Sequence, residues 1–273
     1  MKNEKINAEI NRQNFLGKTD QDLKDLYIER NAFDVPINSE VYRIFQAPFL
    51  LDDIASSKIT LLNIRSSVFN DPLENPLFGL EFSTEEGDSL FLDPLVENYF
   101  GQSWTEESLD EYWRWEAFSH GTNFGVRVKA SLRNVMHRLV QTQNKYFMLR
   151  YFVGKVTYHD PSYLADLTKS HTYNEFLDSL GHGITRSLTA IRKEFSDEKE
   201  IRILYDYEKE DDYAKSNVTV NKGLFCKHPF DWSGVIEEVL LDPRMPDSDA
   251  SAYCQELRNK GIMCSISRSR ARP

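Results

Sequence analysis

The order in which apolar periods follow one another constrains this chain more than any single motif. Short β-rich runs at Val41–Phe45, Ile59–Ile64, Phe124–Val128, which alternates around Arg127, Glu200–Tyr207 and Val235–Leu241 predict strands. They are interspersed with stretches that repeat every three to four residues. Thr19 to Asn31 carries Leu23, Leu26 and Tyr27 in this way, Ser131–Val140 carries Leu132, Val135, Met136 and Leu139, and Asp247–Asn259 predicts a third helix. The two kinds of run do not alternate regularly, so a doubly wound parallel sheet is not expected. The predicted class is α+β, with mixed sheets and flanking helices.

Residues 1–18 are polar without a sustained period and predict a loose arm or a partner-dependent helix. With the helix that follows they make an N-terminal segment, 1–40, ahead of a single catalytic-type α+β domain over 41–273. Residues 69–76 gather Asn, Asp and Pro, whose turn chemistry predicts an ordered loop. Residues 78–107 are acidic and predict an irregular insertion. Leu109–Phe118 predicts a helix with Leu109, Tyr112, Trp113 and Glu116 along one side, and Tyr173–Phe195 a mainly helical stretch.

Charge and cysteine usage narrow the partners. With 33 basic against 43 acidic residues the chain carries a formal charge of -10, which removes long-range attraction to polyanions and excludes generic coating of DNA. A local basic site remains at the end of the sequence, where Arg268, Arg270 and Arg272 stand without an acid beside them. Cys226, Cys254 and Cys264 are an odd count with no Cys-x-x-Cys, which suits a reducing cytoplasm. The N-terminus is polar, and Tyr146–Val153 contains an arginine and is far shorter than the roughly 18 residues of a membrane span. A cytoplasmic protein with no membrane partner is expected. Phosphate-loop, nucleophile-elbow, His-Glu-x-x-His and zinc-deaminase signatures are absent from the sequence, and the histidines lack ligand partners at metal spacing, so no metal site is expected.

The most informative segment is Glu198-Lys199-Glu200-Ile201-Arg202. In an extended chain the period of two puts Glu198, Glu200 and Arg202 on one face. Two carboxylates and a guanidinium then stand in a row, either as an acid pair entering a cleft with Arg202 orienting Glu200, or as a solvated strand face with internal ion pairing. Ser119-His120 is a lesser candidate, because neighbours at a helix end are not aimed at one another.

Further motifs accompany that segment: Tyr42-Arg43 on an early strand, Asn70-Asp71-Pro72-Leu73-Glu74, Trp115-x-x-Phe118 followed by Gly125-Val126, and Val156-x-Tyr158. Together, from about residue 41 to the end, they resemble a widespread, poorly characterised bacterial family with a Tyr-Arg opening, a Phe-Asn-Asp-Pro loop, a Trp-x-x-Tyr helix and a closing Glu-x-Glu-x-Arg. This chain departs from it at Phe118, where the family has Tyr, and at Phe195, where it has Trp. That family is in turn similar to ADP-ribosyltransferases, whose core surrounds NAD with an Arg or His, an aromatic or Ser, and a Glu. The resemblance implies that Arg43 fills the first place, Trp115 or Phe118 the middle and Glu200 the last, with Glu198 beside it. Tyr42, Asn70, Asp71 and Arg202 are implied as further cofactor contacts.

The chemistry suits those residue types. NAD carries a cationic nicotinamide that leaves as a neutral ring, so its departure needs no general acid. A carboxylate holding the ribose 2-hydroxyl steadies the oxocarbenium-like ribose, an aromatic face holds the cationic ring, and an arginine grips phosphate bidentately. The expectation is an ADP-ribosyltransferase acting on a macromolecule, protein or nucleic acid, as a toxin or phage-defence effector held in check by a neutralising partner protein. Two other classes stand beside it: a non-catalytic interaction module on the same fold, and a metal-dependent nuclease using Asp71, Glu74, Glu198 and Glu200.

Overall fold

The computed structural model describes residues 2–64, 77, 79–108, 110–119, 123–166, 169 and 171–273. The loop expected at 69–76, with Asn70, Asp71 and Glu74, lies outside the described residues. The chain forms two compact units, one from Met1–Ile37, Leu61–Ser103 and Val140–Lys227, the other from Asn38–Thr60, Trp104–Leu139 and His228–Pro273.

The first unit opens with a helix, Lys2–Phe15, where a loose arm is one of the two expectations. Ile6 and Ile10, one turn apart, are its buried anchors. The next helix, Asp20–Arg30, starts in a reciprocal cap: the Asp22 N–H donates to Thr19 Oγ1 at 3.3 Å, and the Thr19 N–H donates to Asp22 Oδ2 at 2.9 Å. At its far end the Asn31 amide donates to the carbonyls of Met148 and Tyr151, at 2.9 and 3.0 Å, tying the helix to the sheet.

That sheet is mixed. Ala32–Phe33 runs parallel to Tyr151–Lys155, which pairs antiparallel with Glu200–Asp206, Ile203 standing opposite Val153. The strand Tyr99–Thr105 lies next to Glu200–Asp206, and its Phe100 and Gly101 pair antiparallel with Asn63 and Leu62. Phe33, Phe82, Tyr99, Phe152, Leu188 and Leu204 form part of one buried cluster. Both faces of Glu200–Asp206 are covered, which is why Glu200 through Tyr205 are all buried.

Two expectations are corrected here. Residues 78–107 are not an irregular insertion: they hold a hairpin, Glu81–Ser83 with Ser89–Phe91, a short helix, Asp93–Val96, and the strand Tyr99–Thr105. Phe82, Leu92, Val96 and Tyr99 are its buried anchors, spaced too widely among the acids to give a visible period. Nor is 173–195 one helical stretch. It breaks into Tyr173–Glu175, His182–Ser187, the strand Ala190–Arg192 and the tight turn of helix Lys193–Glu198. The break has a local cause: the Asp178 carboxylate accepts the Leu180 and Gly183 N–H groups at 2.8 and 2.5 Å. A Cβ on Gly183 would stand 2.4 Å from the Glu175 carbonyl oxygen, so only glycine fits that turn.

In the second unit, Glu40–Gln46 pairs antiparallel with Gly125–Ser131, which pairs antiparallel with Ile236–Leu241, and this in turn pairs parallel with Ser265–Arg268. The helices Ala47–Ser56, Leu132–Leu139 and Asp247–Asn259 flank this sheet, and Leu132, Val135, Met136 and Leu139 are buried as their spacing requires. The Phe45 ring meets Trp104 and Trp232 edge-on, each at 5.9 Å. The helix Tyr112–Phe118 buries Arg114 and Trp115 rather than the side expected from Tyr112, Trp113 and Glu116. Each unit is therefore a mixed sheet with flanking helices, and the α+β class holds for both. Among the described residues no helix is long and apolar enough to cross a membrane.

Candidate active site

The Glu-x-Glu-x-Arg segment is not extended throughout. Glu198 ends the helix Lys193–Glu198, and Lys199 follows in the left-handed region with φ of 44°. The strand begins only at Glu200. The reading that put Glu198 on one strand face with Glu200 and Arg202 is thus corrected, because a left-handed residue between them resets the alternation. Glu198 is half-buried next to the strand's start.

Glu200 and Arg202, two apart on the strand, do share a face. Arg202 Nε and Nη2 donate to Glu200 Oε1 and Oε2 at 2.8 and 3.0 Å, a planar fork on a planar carboxylate. Arg202 Nη1 donates to the Leu188 carbonyl at 3.0 Å. Side-chain exposure is 2% for Arg202 and 4% for Glu200, so neither charge is shared with bulk water. Such a pair adds little net stability, yet removing one partner strands the other charge at a cost of about 3–5 kcal/mol.

The backbone of Glu200 is held as firmly. Its carbonyl accepts the Val156 N–H at 2.9 Å, and its own N–H donates to Tyr158 Oη at 2.8 Å. Tyr158 stands on the short strand Thr157–His159, which pairs parallel with Ala190–Arg192. Burial pushes the Tyr158 phenol up to about 12, with the charges of Glu200 and Glu198 adding to the rise, so it stays protonated.

The other sequence candidates lie in the second unit. Arg43, half-buried on Glu40–Gln46, holds its guanidinium 5.1 Å from the Phe45 ring centre. Tyr42 is buried, its hydroxyl donating to Glu40 at 3.1 Å and its ring lying 5.3 Å from the Arg127 guanidinium. Trp115 is a core residue, 1% exposed, with its indole N–H on Asp110 at 2.9 Å. The glycine that follows the Trp-x-x-Phe helix has a packing reason: a Cβ on Gly125 would come within 3.0 Å of the Trp115 ring and 2.9 Å of Ile44. Phe118, by contrast, is 38% exposed.

Sequence reasoning missed a second acid-x-arginine pair. Asp242 accepts the Gly125 N–H, the Arg244 N–H and Arg244 Nε at 2.9 Å each, and Arg244 Nη2 at 2.7 Å. Burial pushes its carboxyl up, and the bonds from Arg244 and Gly125 outweigh that, leaving it below its ordinary value. The signal was Asp242-Pro243-Arg244, which reads as a turn. Ser119 is buried on this latch, its hydroxyl bonded to the Trp115 carbonyl and 3.4 Å from Asp242. His120 lies outside the described residues. The C-terminal residues are likewise anchored: the Ser269 hydroxyl meets the Asp110 carboxylate at 2.7 and 2.8 Å, leaving Arg270 and Arg272 exposed, while Arg268 pairs with Asp247. Among the described residues no group of three or more His, Cys, Asp or Glu is placed to hold a metal.

No family model and no curated protein matches this chain. Among solved structures it is similar to Thermus sp. 2.9 DarT in complex with ADP-ribosylated ssDNA, at 11% identity and a TM-score of 0.38, over 85% of this chain and 95% of that one. It is similar to the same protein in complex with NAD+, at 11% identity and a TM-score of 0.34, over 85% and 96% of the two chains. With carba-NAD+ bound, the values are 10% and 0.34, over 86% and 97%.

Proposed function

We propose that this chain is an NAD-consuming ADP-ribosyltransferase that modifies a cellular macromolecule, protein or nucleic acid. The observation that carries the reading is the junction at Glu200: Val156-x-Tyr158 and Glu200-x-Arg202, distant in sequence and both part of the family resemblance, are hydrogen-bonded to one another. A carboxylate oriented by a bidentate arginine, with one partner on each oxygen, keeps lone pairs for a ligand hydroxyl.

In the reaction, the bond between the ribose C1 and the nicotinamide nitrogen breaks. Its electron pair leaves with nicotinamide, which becomes neutral. Glu200 accepts a hydrogen bond from the ribose 2-hydroxyl and steadies the positive charge on the ribose. An acceptor oxygen or nitrogen then bonds to C1 and gives up its proton to solvent or to Glu198. Arg43 is assigned to a phosphate of NAD and Phe118 to the cationic ring, by the sequence resemblance. Tyr42 and Trp115, assigned to the cofactor by the same resemblance, are buried. A role as toxin or phage-defence effector, with a neutralising partner, belongs to the same proposal.

A second reading is favoured by one specific observation, the burial of Glu200 under Arg202: the pair then holds the fold of a non-catalytic interaction module. Calorimetry with NAD, and separately with Mg2+ or Mn2+, tests the alternatives. Saturable NAD binding followed by release of nicotinamide supports the transferase. A folded protein that binds neither supports the module, and one that binds only the metal supports the nuclease.

A further inference from the structure

Tyr158 is given no role by the resemblance beyond its place in a strand, yet its hydroxyl is the group that completes the backbone of Glu200. Strand pairing leaves the Glu200 N–H without a carbonyl, and Tyr158 Oη takes that place at 2.8 Å. An oxygen that accepts from the backbone keeps its own proton to donate. Among the described residues no acceptor takes that proton, and the ring is half-buried rather than sealed. Glu200, Glu198 and Arg202 all act electrostatically on this phenol, which places it in the same local field as the carboxylate.

A neutral donor held on the backbone of the residue that carries the carboxylate matches one ligand chemistry in particular. In a cis-diol, one hydroxyl donates to the carboxylate while its neighbour accepts from the phenol. We propose that Tyr158 is a substrate-binding residue that donates to the hydroxyl of the nicotinamide ribose adjacent to the one held by Glu200, making the site selective for an intact ribose diol. The inference rests on the transferase reading and deepens it. The phenol acts as a fixed donor and not as an acid or base, because its raised ionisation keeps it protonated across the physiological range.

The test uses the full-length protein, two variants at one position, and two substrates: NAD, and NAD lacking the 3-hydroxyl on the nicotinamide ribose. Tyr158→Phe removes donor and acceptor together; O-methyltyrosine at 158 keeps an acceptor oxygen and removes only the donor. For the wild type, kcat/KM should fall about tenfold or more on the deoxy substrate. Both variants should lose a similar factor on NAD, chiefly through KM, and show no further loss on the deoxy substrate. Full activity of the O-methyltyrosine protein, or an undiminished preference of Tyr158→Phe for the intact diol, overturns the inference while leaving the transferase standing. A folded wild type that does not release nicotinamide overturns the reading and the inference together. Thermal unfolding of each variant separates a folding loss from a binding loss.

Discussion

Two acid-x-arginine pairs in this molecule look alike in sequence and are bonded differently. Asp242, in the second unit, accepts the backbone N–H groups of Gly125 and Arg244 as well as the Arg244 guanidinium, so its acceptor sites are filled. The Glu200 carboxylate, in the first unit, accepts among the described residues from Arg202 alone, once on each oxygen. A saturated carboxylate is a latch that holds two chain segments together. A carboxylate oriented by one guanidinium keeps lone pairs, which the proposed function assigns to a ligand hydroxyl. The difference shows that one spacing can carry two hydrogen-bond environments, one with backbone donors on the acid and one without.

The comparison breaks most visibly at the arginines. Arg202→Met leaves the Glu200 charge buried without its partner and should cost about 4 kcal/mol of stability, read from denaturant unfolding, whereas Glu200→Met combined with Arg202→Met should recover most of it. A single-variant loss below about 1 kcal/mol would mean that Glu200 is solvated and not held as described.

Acid should weaken both units, because burial holds His182 in the first unit down at about 4 as well, and the effect near Asp242 can be followed separately. Its unit contains His228, fully buried, whose imidazole burial holds down at about 4 from an ordinary 6.5. The unfolded chain takes up the proton first, so stability present above pH 6.5 is lost as pH falls toward 4. The loss should amount to about 3 kcal/mol. His228→Gln should flatten this slope, followed by Trp232 fluorescence in the same unit. An unchanged slope would show that the imidazole is not the group responsible.

Asp242→Asn keeps the shape of the latch but weakens the charge-assisted bonds to Gly125 and Arg244, and should lower stability by about 2 kcal/mol. Nicotinamide release by the folded protein should stay within a few-fold of wild type, in contrast to any change at Glu200. The smallest effect is expected from Arg43→Lys, which exchanges a fork for a point charge and should weaken NAD binding about tenfold by calorimetry with little change in unfolding. Equal affinity would remove Arg43 from the phosphate.

How much of this was legible beforehand depends on the residue. The strands carrying Arg43 and Glu200 and the helix at Asp247–Asn259 stand where their apolar residues predict them, although Glu200 through Tyr205 are buried on both faces. Lys199 does not announce its left-handed backbone, so the placement of Glu198 was misjudged. The strand Tyr99–Thr105 hid among acids because its buried residues pack on both faces and show no alternation. Trp115 and Gly125 were read as a motif, and their packing against one another supplies a structural reason for that pairing. Tyr158 was only a letter in a strand pattern, since a bond from its side chain to the backbone of Glu200 leaves no trace in spacing.

The central claim is that Glu200 is a ligand-facing carboxylate and not a second latch. Nicotinamide release from NAD by the wild type and by Glu200→Gln, with the folded fraction of each fixed by circular dichroism, tests it most directly. The account predicts release by the wild type and a fall of about 100-fold or more per folded molecule in the variant, the scale of removing one preorganised electrostatic contact. Equal rates from the two folded proteins, or no release from the wild type, would contradict it.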